Sequence, residues 1–291
     1  MLKFYSNFDP IFHFLQDKYQ NKPFTIWHET FPSNIEQLKE NPYNFLIILE
    51  PNEFFGLHDI AINNYNLFTA VLTWSDFILK NCDNGVKFTF NGRILDNEFI
   101  ELTENKPKHF EISFLSGDKN FTEGHHLRQK IYSLKDQIST PKKWFHVLED
   151  YDKENKVRPG YSTYNKDLSH IPTGIDIVGY GKRILYNSMF NIIIENVKYN
   201  NWYNKIGDTF LTKCVPIYWG CPNIEEFGYD ERGIIRFNDE KELIDILNTL
   251  TPEIYYKMKP YIDYNYKIAK LDMVEDKATQ FFDSFIKLNN I

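Results

Sequence analysis

Strand-length runs of β-branched and aromatic residues recur along the chain, separated by polar or helix-compatible segments, and this alternation constrains the fold more than any other feature. Residues 45–49 (FLIIL), 67–74 (LFTAVLTW) and 86–90 (VKFTF) form a first series. A polar stretch, 102–108, carries Pro107 and ends it. The pattern then restarts with a predicted strand at 110–115, a helix at 123–136, strands at 175–178 and 190–194, a helix at 204–213, strands at 215–219 and 233–237, and a helix at 241–250. Helical stretches at 252–269 and 273–288 close the chain, and 141–170 reads as a long surface loop of low periodicity. Strands buried on both faces with helices between them make parallel sheets. Two such blocks in succession predict an α/β protein of two Rossmann-like domains facing across a cleft, with ligands beyond the carboxyl ends of the strands. The expected division is 1–107, 108–270 and a last helical segment, 271–291, that crosses back to the first domain.

Composition removes several function classes. Hydrophobic residues make up 42% and charged residues 25%, which is globular rather than disordered. The formal net charge of −7 repels nucleic acid and anionic membranes, so an anionic ligand needs a local cationic site. Three cysteines (Cys82, Cys214, Cys221) form no CxxC pair and fit a reducing compartment. Charged residues interrupt the first twenty positions, so no signal-peptide core is expected there, and no apolar run is long enough for a transmembrane segment. A cytoplasmic protein is the expectation. The abundant Phe and Tyr accompany abundant Ile, Asn and Lys, a coding bias rather than a stacking surface.

The chemistry concentrates in 190–196 (FNIIIEN), 202–208 (WYNKIGD) and 215–222 (VPIYWGCP): a buried strand ending in Glu195 and Asn196, a loop, a helix start, and a strand entering a Gly/Pro turn. Asn204 is a good N-cap, and Lys205 adds a cation beside the first-turn N–H groups, a layout suited to phosphate. Other motifs carry less. Asp150-Tyr151-Asp152 is a DxD of the kind expected by chance in an acidic chain. His125 and His126 point about 100° apart on a helix, poor geometry for a shared metal, and Gly179-Tyr180-Gly181 lacks the third glycine of a dinucleotide fingerprint. No metal site is expected.

The block 190–222 resembles the donor-binding signature of the family 10 α1,3/4-fucosyltransferases: a strand ending "FEN", a Thr-Glu-Lys helix start, then "VPIYWGxP". Residues 175–181 (IDIVGYG), Phe114-Leu115-Ser116 and 124–128 (GHHLR) resemble the family's preceding strand and its arginine-bearing helix, so the likeness spans roughly 110–250. It implies a GT-B glycosyltransferase that inverts the anomeric centre and moves a sugar, fucose from GDP-fucose, to a hydroxyl of a glycan or glycoconjugate, without a metal or other cofactor. The positions carried over are Arg128 and Lys205 for the donor diphosphate, Glu195 and Asn196 at the strand end, Tyr203 and Asn204 at the helix start, and Tyr218 and Gly220 near the donor. Asn204 stands where the family has its donor-contacting glutamate.

Such a reaction needs cations for the departing diphosphate and a base for the acceptor hydroxyl. Glu50 directly follows the run 45–49, with Glu53 three residues on, and the family's base lies in a segment resembling Glu50-Pro51-Asn52-Glu53. Glu50 is the first candidate. Asn204 motivates a second reading, a nucleotide-sugar or glycan-binding protein of the same fold without catalysis. A sugar epimerase is a third.

Overall fold

The structure, a computed structural model, describes residues 1–7, 12–89, 92, 97–104, 106–117, 119–147 and 185–291. The predicted strand at 175–178, the DxD and Gly179-Tyr180-Gly181 lie outside the described residues. The chain divides into two compact units: Met1–Phe90 with Asn200–Trp202 and Asp272–Ile291, and Asn91–Tyr199 with Tyr203–Leu271.

The first unit contains β1 (Lys3–Ser6), α1 (His13–Tyr19), β2 (Phe24–His28), β3 (Tyr43–Ile48), α2 (Asn52–Phe55), α3 (Leu57–Asn64), β4 (Ala70–Thr73), α4 (Asp76–Asn81) and β5 (Gly85–Lys87). The strands form one parallel sheet in sequence order, β1-β2-β3-β4-β5. Alternate side chains of β3 serve two cores. Phe45 and Ile47 join Phe24, Ile26 and Leu72 beneath α1, whereas Leu46 and Ile48 join Trp27, Val71, Ala61 of α3 and Ile78 of α4. Both faces are covered, which is why the run reads as continuously apolar. Run 67–74 shortens to β4 because 65–67 forms a 3₁₀ turn with Leu67 exposed.

The second unit holds α5 (Asn97–Glu104), β6 (His109–Gly117), α6 (Glu123–Ser133), β7 (Lys142–Val147), β8 (Ser188–Ile194), α7 (Ile206–Leu211), β9 (Val215–Trp219), β10 (Ile235–Arg236), α8 (Glu240–Thr249) and α9 (Pro252–Leu271). Its sheet is also parallel, in the order β10-β9-β8-β6-β7. The final helix, α10 (Val274–Asn289), belongs to the first unit, where Val274, Ala278 and Phe282 pack against Phe24 and Phe45.

Two sequence readings are corrected. The units part at 90/91 rather than 107/108: among the described residues of the polar stretch, 102–104 end α5, and the Lys106 N–H donates to the Thr103 carbonyl at 3.2 Å. Turn chemistry marks the end of an element, not of a domain. Residues 142–147, placed in the surface loop, are instead strand β7 with Trp144, Phe145 and His146 buried. Its polar start reflects its place at the sheet edge. Among the described residues no helix is long and apolar enough to cross a membrane.

Candidate functional site

Strand order decides where a ligand fits. In the first unit the order never reverses, whereas in the second the chain passes from β6 to its neighbour β7 on one side and then to β8 on the other. Such a reversal opens a crevice at the carboxyl ends of the two strands flanking it, here β6 and β8. Helix α6 follows β6, and Glu195-Asn196 follows β8. Seven of the eight residues expected to bind substrate, Tyr203 apart, lie about this reversal or the adjoining end of β9.

Glu195 is the hub. It is fully buried, and its Oε1 accepts the N–H groups of Asn204 (3.0 Å) and Lys205 (2.8 Å). Lys205 Nζ lies 3.9 Å from Glu195 Oε2. From the other side, the Gly124 N–H donates to the Asn196 carbonyl at 2.9 Å. The Arg128 guanidinium donates to the carbonyls of Ile194 (2.6 Å) and Glu195 (3.4 Å) and to Asn196 Oδ1 (3.0 Å). The end of β8 is thereby gripped by α6 and by the segment entering α7. Close approach requires glycine on both flanks. A Cβ on Gly124 would stand 1.7 Å from the Glu195 carbonyl oxygen, and one on Gly220 would stand 2.4 Å from Glu195 Cγ.

This geometry corrects the expected phosphate cradle. Helix α7 begins at Ile206 with Lys205, not Asn204, at the cap position, and the first N–H groups of the segment are already bound by Glu195. The Asn204 side chain lies against Gly92, where a Cβ would come within 1.5 Å of Oδ1. Tyr203 is buried against Phe227 and Tyr229, with ring centroids at 5.0 and 6.2 Å, and is a core residue rather than part of the crevice. Tyr218 is also buried. Its hydroxyl accepts the Cys221 N–H at 2.9 Å, and burial first, then the nearby Glu195, raises its phenol well above the usual value. Cys214 and Cys221 are buried free thiols.

His125, in the first turn of α6, is buried, with the Thr122 hydroxyl 2.6 Å from its Nδ1. Its ring is pushed down to about 2, first by burial and then by the charges of Arg128, Lys205, Lys119 and His126. Burial and the neighbouring charges both act to keep this imidazole neutral. From the segment 124–128 sequence reasoning carried over Arg128 alone, giving Gly124 and His125 no role, and it passed over Arg236. The last donates to the carbonyls of Cys221 (3.0 Å) and Pro222 (3.2 Å) and lies over the Tyr218 ring at 5.8 Å. Only the tertiary fold brings these residues to the motif. Among the described residues no group of three or more His, Cys, Asp or Glu side chains gathers as a metal site.

In the first unit, Glu50 stands two residues beyond β3, and Glu53 is exposed on the short helix α2. Beside Glu50 lies a residue the sequence reading passed over. Glu29, one residue beyond β2, is 1% exposed, has φ 50°, and accepts the N–H groups of Leu49 and, at 2.8 Å, Glu50. The run 24–28 (FTIWH) that leads to Glu29 has the same strand character as 45–49 and was the available signal.

His28, which precedes it, is pushed down to about 4 by burial, with the Ser6 hydroxyl 3.0 Å from Nδ1. The folded chain holds this ring neutral while the unfolded chain protonates it below about 6.5. The stabilisation present above that pH is therefore lost as pH falls through 4, on the order of 3 kcal/mol. Thermal midpoints measured from pH 7 to pH 4 should fall accordingly, and His28→Gln should flatten the slope.

No family model matches this chain, and no curated protein does either. Solved structures do match. An α1,3-fucosyltransferase superposes with a TM-score of 0.50 at 15% identity, over 86% of this chain and 78% of that one. The HepE protein of Anabaena, crystallised with UDP-glucose, gives 0.55 at 12% identity over 95% and 81%. A glycosyltransferase from Rickettsia africae ESF-5 gives 0.54 at 12% identity over 94% and 78%. At these identities the likeness is one of fold: two parallel-sheet α/β units, the GT-B fold of glycosyltransferases.

Proposed function

We propose that the chain is a nucleotide-sugar-dependent glycosyltransferase resembling the family 10 α1,3/4-fucosyltransferases. In this reading the second unit binds the donor diphosphate at the ends of β6 and β8. One observation carries it: Arg128, Lys205, Glu195 and Asn196, singled out from a sequence motif, meet at the strand-order reversal of a sheet whose fold is that of glycosyltransferases. Lys205, with a side chain 36% exposed, is the cation positioned to touch a ligand. Arg128 is buried and bonded to backbone carbonyls, so it holds the β8 end and contributes its field rather than a direct grip.

In the inverting reaction the acceptor oxygen attacks the anomeric carbon and its proton passes to the Glu50 carboxylate. The bond to the diphosphate breaks with its electron pair, and the cations stabilise the departing charge. GDP-fucose is the favoured donor and a glycan or glycoconjugate hydroxyl the acceptor, in a cytoplasmic protein. UDP-sugars enter the test because HepE was crystallised with UDP-glucose.

Calorimetry with GDP, UDP and their sugars, alongside a transfer assay, tests this. Lys205→Ala should weaken nucleoside diphosphate binding at least about tenfold, the loss of one charge-assisted contact; because it also removes the cation 3.9 Å from the buried Glu195, the thermal midpoint should fall, and affinity is read well below it. Unchanged affinity removes Lys205 from the site. The turning of Asn204 toward Gly92 favours one other reading, a donor-binding protein without turnover. Tight donor binding with neither transfer nor hydrolysis across a broad acceptor panel would support that reading instead.

A further inference from the structure

The peptide segment that carries Glu50 is held at every backbone polar atom by a buried side chain of the first unit. The N–H groups of Leu49 and Glu50 donate to Glu29 Oε1. The Leu49 carbonyl accepts from two indoles, Trp74 Nε1 at 2.6 Å and Trp202 Nε1 at 3.0 Å. The Glu50 carbonyl lies 3.2 Å from His58 Nε2, and the other ring nitrogen of His58 is 3.4 Å from the Ser75 hydroxyl. Glu29, His58, Trp74, Ser75 and Trp202 are all buried, and they come from four separate parts of the chain. An ordinary strand end needs no such enclosure. Two of its four polar atoms would be satisfied by the sheet and the rest by water.

Glu29 carries the largest cost. It takes a left-handed backbone conformation, φ 50°, that a side chain with a Cβ rarely adopts, and it is held there by its own N–H on the Ile47 carbonyl (3.0 Å) and by Asn7 Nδ2 on its carbonyl (2.6 Å). Backbone strain of this kind persists where the surroundings over-determine it, and it concentrates at functional positions.

We propose that Glu29 is the positioning residue for Glu50, orienting its carboxylate through the two amides and coupling the charge of one carboxyl to that of the other. The inference rests on Glu50 acting as the acceptor base. Burial raises the Glu29 carboxyl to about 8; the amides of Leu49 and Glu50 act against that rise, and the charge of Glu50 adds to it. Around the pair, His28 is neutral by burial, and His58 is lowered by burial while its bond to the Glu50 carbonyl and then the charges of Glu53 and Asp59 pull it the other way. Near neutral pH the protonated Glu29 therefore spares Glu50 a second negative charge, and that relief ends as pH rises through about 8.

Two readouts on the full chain test this: carbon-13 NMR titration of the two carboxyls, assigned with Glu29→Gln and Glu50→Gln, and the pH dependence of kcat. The carboxyls should titrate as a coupled pair, each moving down when the other becomes glutamine, because a neighbouring negative charge is then removed. Glu29→Ala should lower kcat about 10²-fold at unchanged donor KM, as expected when a reacting group is misplaced by about 1 Å. Glu29→Gln, which still accepts both amides, should restore most of that rate at pH 7 and lack the alkaline change. Independent titrations overturn the proposal whether or not an acceptor has been found. An inactive Glu50→Gln beside a Glu29→Ala of parental kcat overturns the positioning role alone. A fully active Glu50→Gln overturns the reading of Glu50 as base and the proposal with it.

Discussion

Alanine at position 124 should destabilise the second unit by about 3 kcal/mol, at the upper end of the overpacking range, and lower its thermal midpoint by roughly 6–12 °C for a unit of this size. Propensity alone points the other way, since alanine in a helix is favoured over glycine by about 1 kcal/mol. Geometry decides the sign. The added Cβ would sit 1.7 Å from the Glu195 carbonyl oxygen and 2.8 Å from that of Asn196, both backbone atoms with no rotamer to yield. Helix α6 must back away from the end of β8, which stretches the Gly124 N–H bond to Asn196 and the three Arg128 contacts. Nucleotide affinity should fall with stability, because the same displacement carries Arg128 from the crevice. Scanning calorimetry with and without nucleotide reads both effects. A midpoint equal to the parent's would show that α6 does not pack on the strand end as described.

Glu50→Gln should leave donor binding unchanged and reduce transfer by about 10²–10⁴-fold, the usual worth of a general base. The amide keeps the size of the carboxyl and, through its main-chain atoms, the bonds to Glu29 and His58, but it cannot take the acceptor proton. Calorimetry with the donor nucleotide and initial-rate measurements on one preparation separate binding from chemistry. Glu53 is the control. It is exposed on α2, and Glu53→Gln should change turnover only slightly if Glu50 is the base. A reversed outcome would move the base three residues along the chain.

The parts legible in the sequence were those whose burial is expressed locally. Strands β8 and β9 lie inside their sheet, so most residues of each are apolar and the runs 190–194 and 215–219 stand out. β1 and β7 lie at sheet edges, and their mixed sequences KFYS and KKWFHV give no such signal. The motif around Glu195 pointed to the correct end of the correct sheet, but its internal wiring was not readable. That Glu195 rather than Asn204 receives the amides at the entry to α7 follows from a contact spanning about ten positions, set by how β8 ends and not by any local propensity. Glu29 escaped notice for a related reason. The run 24–28 marks a strand whose end Glu29 follows, but the carboxyl's burial and role depend on a neighbouring strand twenty residues away.

The place of α10 has a consequence for how the molecule comes into being on the ribosome. Phe24 and Phe45 are separated from the aromatic residues that cover them, Phe281, Phe282 and Phe285, by the whole of the second unit. The half of the protein translated first must wait, with an oily face uncovered, while the half translated after it already has all its own segments. The core of the first unit is therefore completed only once the second unit has been translated.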